Sequence, residues 1–213
     1  MLNNHVLFAG GDQGVVVLER GRQAWREAGR GLTSQRVTSI AAAGSEVLAG
    51  TRAGIYRSQD AGQTWRASSD GLTVSHVRWL AYDPAATGVV LAGTEPAAIL
   101  ISQDGGTTWR ECPEVAELRE RQGWYLPYSS GAGCVRGFAF HGRRVYAAVE
   151  VGGLLRSDDG GQTWRLVEGS SGDPRSAPVG AIHPDVHSVE VHPSSPNLVL
   201  APTGGGFYQS ADG

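Results

Sequence analysis

Two arginines open closely similar segments of the chain, Arg78 in VRWLAY (77–82) and Arg136 in VRGFAF (135–140). A guanidinium is a permanent cation with a planar fork of donors that matches carboxylate and phosphate. Two of them at equivalent positions could seat an anionic ligand. The same position holds Thr38 in VTSIAA (37–42) and His187 in VHSVEV (186–191). His187 also ends the run His183-Pro184-Asp185-Val186-His187. In an extended chain alternate side chains share a face, so His183, Asp185 and His187 could offer a metal two imidazoles and a carboxylate. Glu150 and Asp185 are the carboxylates to consider for paired acid–base work on a glycosidic bond. Trp124, Tyr125 and Tyr128, in GWYLPY (123–128), would add aromatic surface beside them. A plainer reading stands next to these. Arg78, Arg136 and Glu150 would be structural ion pairs between neighbouring elements, and His183 and His187 ordinary loop and strand histidines.

The elements that position these residues repeat. SQDAGQTW (58–65), SQDGGTTW (102–109) and SDDGGQTW (157–164) align without gaps, a fourth copy starts at Ser210-Ala211-Asp212-Gly213, and a degenerate copy, LERGRQAW, ends at Trp25. The aspartates Asp60, Asp104, Asp159 and Asp212 are spaced by 44, 55 and 53 residues, the period of a four-stranded propeller blade. Before each box come two short apolar runs joined by a glycine-containing turn, as in LAGTRAGIYRS (48–58), AAVEVGGLLRS (147–157) and LAPTGGGFYQS (200–210). Those runs read as hairpins. Upstream of them lie the four alternating segments that begin with the valines. Each unit therefore reads strand A, strand B, strand C, box, strand D. Helical periodicity is confined to EVAELRER (114–121), read as a short turn of helix at most.

This pattern resembles the BNR or Asp-box repeat proteins, a broad group of β-propellers that includes sialidases, sortilin-type receptors and other glycoside hydrolases. The resemblance implies an all-β propeller of four-stranded antiparallel blades, about five of them complete or partial. Approximate blade limits are 4–32, 33–72, 73–118, 119–170 and 171–213 within a single propeller domain over 1–213. In the boxes, Ser58, Asp60, Gly62, Thr64 and Trp65, then Ser102, Asp104, Gly106, Thr108 and Trp109, then Ser157, Asp159, Gly161, Thr163 and Trp164, are assigned to structure. The carboxylate and hydroxyl hold a turn, the glycine supplies an unusual backbone angle, and the indole is buried beneath. One carboxylate per box is too few oxygens for calcium. The sialidase site itself does not carry over, because the F/Y-R-x-P motif is missing and Tyr56-Arg57 runs into the repeat. The chain begins at strand B and stops inside the fifth box, so the expectation is part of a longer ring, or closure by self-association through the open ring edges.

The connections between box and next strand A differ. From the box tryptophan to the next valine they span 12, 12, 26 and 22 residues. Long loops on one face of a rigid scaffold are where binding sites arise. That face should carry Arg78, Arg136, Glu150, His187, Trp124 and Tyr125 at the mouth of the central channel. The expected function is a ligand- or protein-binding module. The alternative is a glycan-active hydrolase with part of its site beyond Gly213. No phosphate-binding loop or Ser/His/Asp elbow occurs, so no cofactor is expected. With 18 basic against 21 acidic residues, the chain lacks the footprint of a nucleic-acid binder. No apolar run reaches membrane-spanning length. The expected partner is a small polar or anionic ligand, a glycan or a protein. The start lacks a secretory signal, which points to the cytoplasm; an extracytoplasmic location stays open if the N-terminus is incomplete. Cys112 and Cys134 bracket the longest insertion and are expected as free thiols.

Overall fold

A computed structural model describes residues 5–170 and 181–213. Its strands form five antiparallel sheets. Sheet 1 contains β1 (Val6–Gly11), β2 (Gly14–Arg20) and β3 (Trp25–Gly31). Sheet 2 contains β4 (Val37–Ala43), β5 (Glu46–Thr51), β6 (Gly54–Ser58) and β7 (Arg66–Ala67). Sheet 3 contains β8 (Val77–Tyr82), β9 (Val90–Thr94), β10 (Ile99–Ser102) and β11 (Arg110–Glu111). Sheet 4 contains β12 (Cys134–His141), β13 (Arg144–Glu150), β14 (Gly153–Ser157) and β15 (Arg165–Leu166). Sheet 5 contains β16 (Glu190–His192), β17 (Ser195–Thr203) and β18 (Gly206–Ser210). Every sheet is a meander, with sequential strands as neighbours. The inner strands β4, β8, β12 and β16 contact one another in turn, and β1 lies against β4. This is a run of propeller blades, all-β, as the repeats required. The first sheet has the register of strands B, C and D, and the last that of A, B and C.

Register explains why neighbouring sheets pack. Along strand B, alternate residues face the preceding and the following blade. Val47, Val90, Val145 and Val199 face backward and are buried. Leu48, Leu91 and Tyr146 face forward and are buried too. Burying both faces of a sheet calls for continuous apolar runs, and the middle blades supply them: all five residues of β9 are buried.

The Asp-boxes lock this arrangement. In the first, Ser58 Oγ donates to Asp60 Oδ1 at 2.8 Å and accepts the Gly62 N–H at 2.8 Å. The Thr64 N–H donates to Asp60 Oδ1 at 2.8 Å and its hydroxyl to Oδ2 at 2.6 Å. The other two boxes repeat these bonds. The donors hold all three carboxyls at about 2. At Asp60 the Thr64 hydroxyl leads. At Asp104 and Asp159 burial works the other way, and the hydrogen bonds from Thr108 with Ser102, and from Thr163 with Ser157, overcome it. The box glycines need no Cβ for two reasons. Gly106 has φ +86°, and a Cβ there would lie 2.7 Å from Leu48 Cδ1 of the preceding blade. The boxes are thus also contacts between blades. The Ser68 hydroxyl donates to the Gly106 carbonyl at 2.6 Å. Cys112 occupies the same place one blade later and its thiol donates to the Gly161 carbonyl at 3.4 Å.

Two local expectations change. The helical stretch is a full ten-residue helix, α1 (Pro113–Gln122), rather than a single turn. Pro113 sits at its start, Glu114 in its first turn, Arg119 and Arg121 in its last, and Gly123 closes it at φ 62°, all favourable at those positions. Val115 and Leu118 anchor it in the core between sheets 3 and 4. Strand A of the fifth sheet is shorter than VHSVEV. It runs over β16, with a separate bridge from Val186 to Thr203. Cys112 and Cys134 are both free and buried, and burial pushes their thiols up to about 12 and about 11, far from reactive thiolates.

Candidate functional site

The inner strands begin with a repeated irregularity. Val37 pairs with Thr51, then Ser39 with Gly50, leaving Thr38 unpaired. Val77 pairs with Thr94 and Trp79 with Gly93, leaving Arg78. Val135 pairs with Val149 and Gly137 with Ala148, leaving Arg136. A bulge re-aims the extra side chain, and three successive blades use it at the same place. Thr38, Arg78 and Arg136 line one cavity of about 310 Å³ with Asp12, Arg36, Val37, Trp79 and Val135. Asp12 comes from the β1–β2 turn and Arg36 from the end of the loop before β4, and they pair at 2.6 Å. The cavity is therefore the channel mouth on the loop face, opposite the boxes.

Two buried carboxylates hold the arginines. Arg136 Nη1 donates to Glu150 Oε2 at 2.7 Å, and Arg78 Nη1 lies 3.3 Å from Glu95 Oε2. Glu95 and Glu150 are register equivalents, each one residue beyond the partner of the first valine, at the start of a B–C turn one residue longer than the two-residue turn after Thr51. Glu150 is thus one step past Thr51 and Thr203, with which the sequence alone aligned it. Those two hydroxyls close turns instead, donating to the carbonyls of Gly54 and Gly206. The other oxygens of the glutamates are met by consecutive residues of the long insertion. The Tyr128 hydroxyl donates to Glu150 Oε1 and the Ser129 hydroxyl to Glu95 Oε1, the latter at 2.6 Å. Burial, then the bond to Glu150, raises the Tyr128 phenol well above its ordinary value. His76 completes the cluster, with Nδ1 3.9 Å from Glu95 Oε2. Burial pushes its imidazole below the ordinary value, Glu95 opposes this, and Arg78, Arg52 and Arg36 add to it.

The expected site residues divide. Arg78, Arg136 and Glu150 come together as described. Tyr125 is exposed, whereas Trp124 is only 4% exposed. Trp124 packs beneath Gly133 and Gly152 in the core with Val149, so it is not a ligand platform; an aromatic in a long loop suggests surface, but this loop folds back over the core. The run from His183 to His187 is not an extended strand. The Asp185 N–H donates to His183 Nδ1 at 3.2 Å, and His187 Nε2 lies 3.1 Å from Asp185 Oδ1 without hydrogen-bond alignment. Among the described residues, no group of three or more His, Cys, Asp or Glu side chains is arranged to hold a metal. Asp12, Arg36, His76, Glu95 and Ser129 escaped the sequence reading. Arg36 and His76 carried a signal, since each directly precedes the first valine of strand A. Glu95 was hidden by the B–C turn of its blade, which is one residue longer than the turn after Thr51.

The family profile described as BNR/Asp-box repeat matches residues 155–166, the third box. No curated protein matches the sequence. Among solved structures, an ancestral GH74 enzyme aligns with a TM-score of 0.62 at 19% identity, over 84% of this chain and 23% of that one. The computationally designed Ika8 protein aligns with a TM-score of 0.61 at 15% identity, over 100% of this chain and 55% of that one. YCF48 bound to D1 peptide aligns with a TM-score of 0.55 at 14% identity, over 99% of this chain and 64% of that one. The chain thus spans between about a quarter and two thirds of these relatives, and the likeness is one of fold. No helix is long and apolar enough to cross a membrane. A chain that ties the same eight-residue turn three times over, on sheets that superimpose on propeller blades, has a β-propeller fold and carries at 155–166 a turn that matches the BNR/Asp-box repeat.

Proposed function

We propose that this chain is a binding module that takes a polar, carboxylate-bearing ligand at the channel mouth. The carrying observation is the triple bulge, which turns equivalent positions of three blades into one cavity and fills two of them with arginine. Each guanidinium has five N–H donors, and the bond to Glu150 occupies one of those on Arg136. The remaining donors are available to a carboxylate, and both arginines stay partly exposed. The buried glutamates hold the forks in place. A propeller of this fold has been seen with a peptide bound, so a peptide carboxylate is one source of the ligand and a sugar acid another.

Calorimetric titration tests this with paired probes: glucuronate against glucose, and a short peptide with a free C-terminus against its amide. The expected result is binding of the charged member of at least one pair, weakened at least tenfold in Arg136→Ala, with about 1.4 kcal/mol lost per factor of ten. Equal binding within both pairs, or none at millimolar concentration, overturns the reading.

The second reading is a glycan-active hydrolase using Glu150, favoured by the Tyr128, Glu150 and Arg136 cluster at the cavity edge. It is the weaker one because all four oxygens of Glu95 and Glu150 already face Arg, Tyr, Ser or His partners, which leaves neither carboxylate free for a leaving group or water. Release of a fluorescent aglycone from glycosides, abolished in Glu150→Gln, would favour it.

A further inference from the structure

One connection serves both arginines. The 26-residue stretch from Trp109 to Val135 joins the two blades that carry Arg78 and Arg136, and near its end it makes a tight turn, Leu126-Pro127-Tyr128-Ser129. Leu126 and Ser129 form an antiparallel bridge, and the Ser129 N–H donates to the Leu126 carbonyl at 3.4 Å. The turn is anchored on both sides. Leu126 is buried with Cys134 and Val151. After the turn, the Ala97 N–H donates to the Ala132 carbonyl at 2.9 Å, and a Cβ at Gly131 would lie 2.9 Å from Glu95 Cγ. Two consecutive hydroxyls diverge from this turn, Tyr128 to Glu150 of sheet 4 and Ser129 to Glu95 beside sheet 3. The Tyr128 ring is 63% exposed, so its hydroxyl, and not packing of the ring, ties it to the mouth. Thr38, at the third bulge, needs no such support, because its hydroxyl donates to the Gly50 carbonyl of its own sheet at 2.9 Å.

We infer that Tyr128 and Ser129 are positioning residues, a single turn that aims both guanidinium forks through the two glutamates. The inference rests on the proposed ligand site and deepens it. A glutamate carboxylate turns readily about its last bond, because that torsion has a broad minimum. Here each carboxylate is held at both ends, the arginine at Oε2 and the loop hydroxyl at Oε1. That fixes the plane of the carboxylate, and with it the direction of the guanidinium bonded to it. Satisfying the second oxygen also offsets the burial of the charge. Without the hydroxyl the carboxylate swings, the fork samples several directions, and a ligand must order it on binding, which lowers affinity. The two hydroxyls are neighbours in one anchored turn, so the two arginines are aimed together and a ligand meets two preset forks.

The guanidinium NMR signals of Arg78 and Arg136 test this without any ligand, each assigned by its loss on substitution with lysine. In the wild-type chain both groups should rotate slowly and give resolved Nη signals. Tyr128→Phe removes one hydroxyl and should average the Arg136 signals while sparing those of Arg78. Ser129→Ala should do the reverse, and Ser129→Thr, which keeps the hydroxyl, should restore the wild-type pattern. All three should keep the native far-UV circular dichroism. Titration with glucuronate and with the peptide bearing a free C-terminus gives the second readout. Whichever binds the wild-type chain should bind Tyr128→Phe and Ser129→Ala about three- to tenfold more weakly, the worth of one hydrogen bond. Free rotation of both guanidiniums in the wild-type chain overturns the inference. So do folded variants whose arginine signals and affinities match the wild type. Resolved, hydroxyl-dependent arginine signals in a chain that binds neither probe would sustain the positioning role and overturn the ligand reading alone.

Discussion

The two faces of the propeller were built under different constraints. On the box face, three copies of one turn share the same hydrogen bonds to within about a tenth of an ångström. On the channel-mouth face, the equivalent position holds Thr38, Arg78 and Arg136 in turn, and the loops behind it differ in length by up to 14 residues. The box face repeats because each box must fit under the same neighbour. The mouth diverges because it touches no neighbouring box and is open to solvent. Uniform chemistry therefore marks structure in this molecule, and divergence on a uniform backbone device, the bulge, marks the candidate site.

The largest effect that could break this contrast lies at a box tryptophan. Trp164→Ala should destabilise the chain by about 4 kcal/mol, since it empties a packed site. Trp25→Ala, at a ring that is 40% exposed, should cost well under half of that. Comparable losses in thermal denaturation would show that the boxes are not held by their neighbours. Next is Gly106→Ala, which meets both a left-handed backbone and Leu48; about 3 kcal/mol is expected. Arg136→Ala should cost about 1–2 kcal/mol by leaving Glu150 with Tyr128 as its remaining partner, while ligand affinity falls at least tenfold. A mouth residue should thus weigh more on binding than on folding, and the reverse outcome would make the arginines structural.

Acid separates the faces in another way. The box carboxyls, held at about 2 in the folded chain, titrate near 3.9 when unfolded. A depressed folded value means that their contribution is fully present above about pH 4 and is lost as the pH falls toward 2. Unfolding midpoints should be flat from pH 7 to 5 and drop below pH 4, and Asp104→Asn should soften that drop. The smallest effect is expected at Tyr125→Ala. This exposed ring should change stability by less than about 0.5 kcal/mol, and a larger loss in thermal denaturation would place it in the fold rather than at the mouth.

The sequence carried the fold a long way because the repeat is local. Strand order, the hairpins and the role of Asp60, Asp104 and Asp159 can be read within about ten residues, since a box satisfies its own hydrogen bonds. It carried Arg78 and Arg136 to the same face for the same reason, as both sit at a fixed offset in a repeated strand. It misplaced Trp124, whose burial depends on how α1 and the following loop fold over Val149, and it underestimated α1, whose anchoring residues Val115 and Leu118 meet partners from two blades.

By itself, then, the sequence determined the blades, their order and the turns that tie them, because those depend on period-two patterning and short-range turn chemistry. Only the tertiary structure decided which charges meet. Glu95 and Glu150 reach Arg78 and Arg136 because a bulge re-aims each arginine and a longer turn places each glutamate beside it. Tyr128 and Ser129 reach the same glutamates from a loop with no repeat to align it. Side chains brought together across strands and blades are fixed by packing, and packing is not a property of any local stretch of chain.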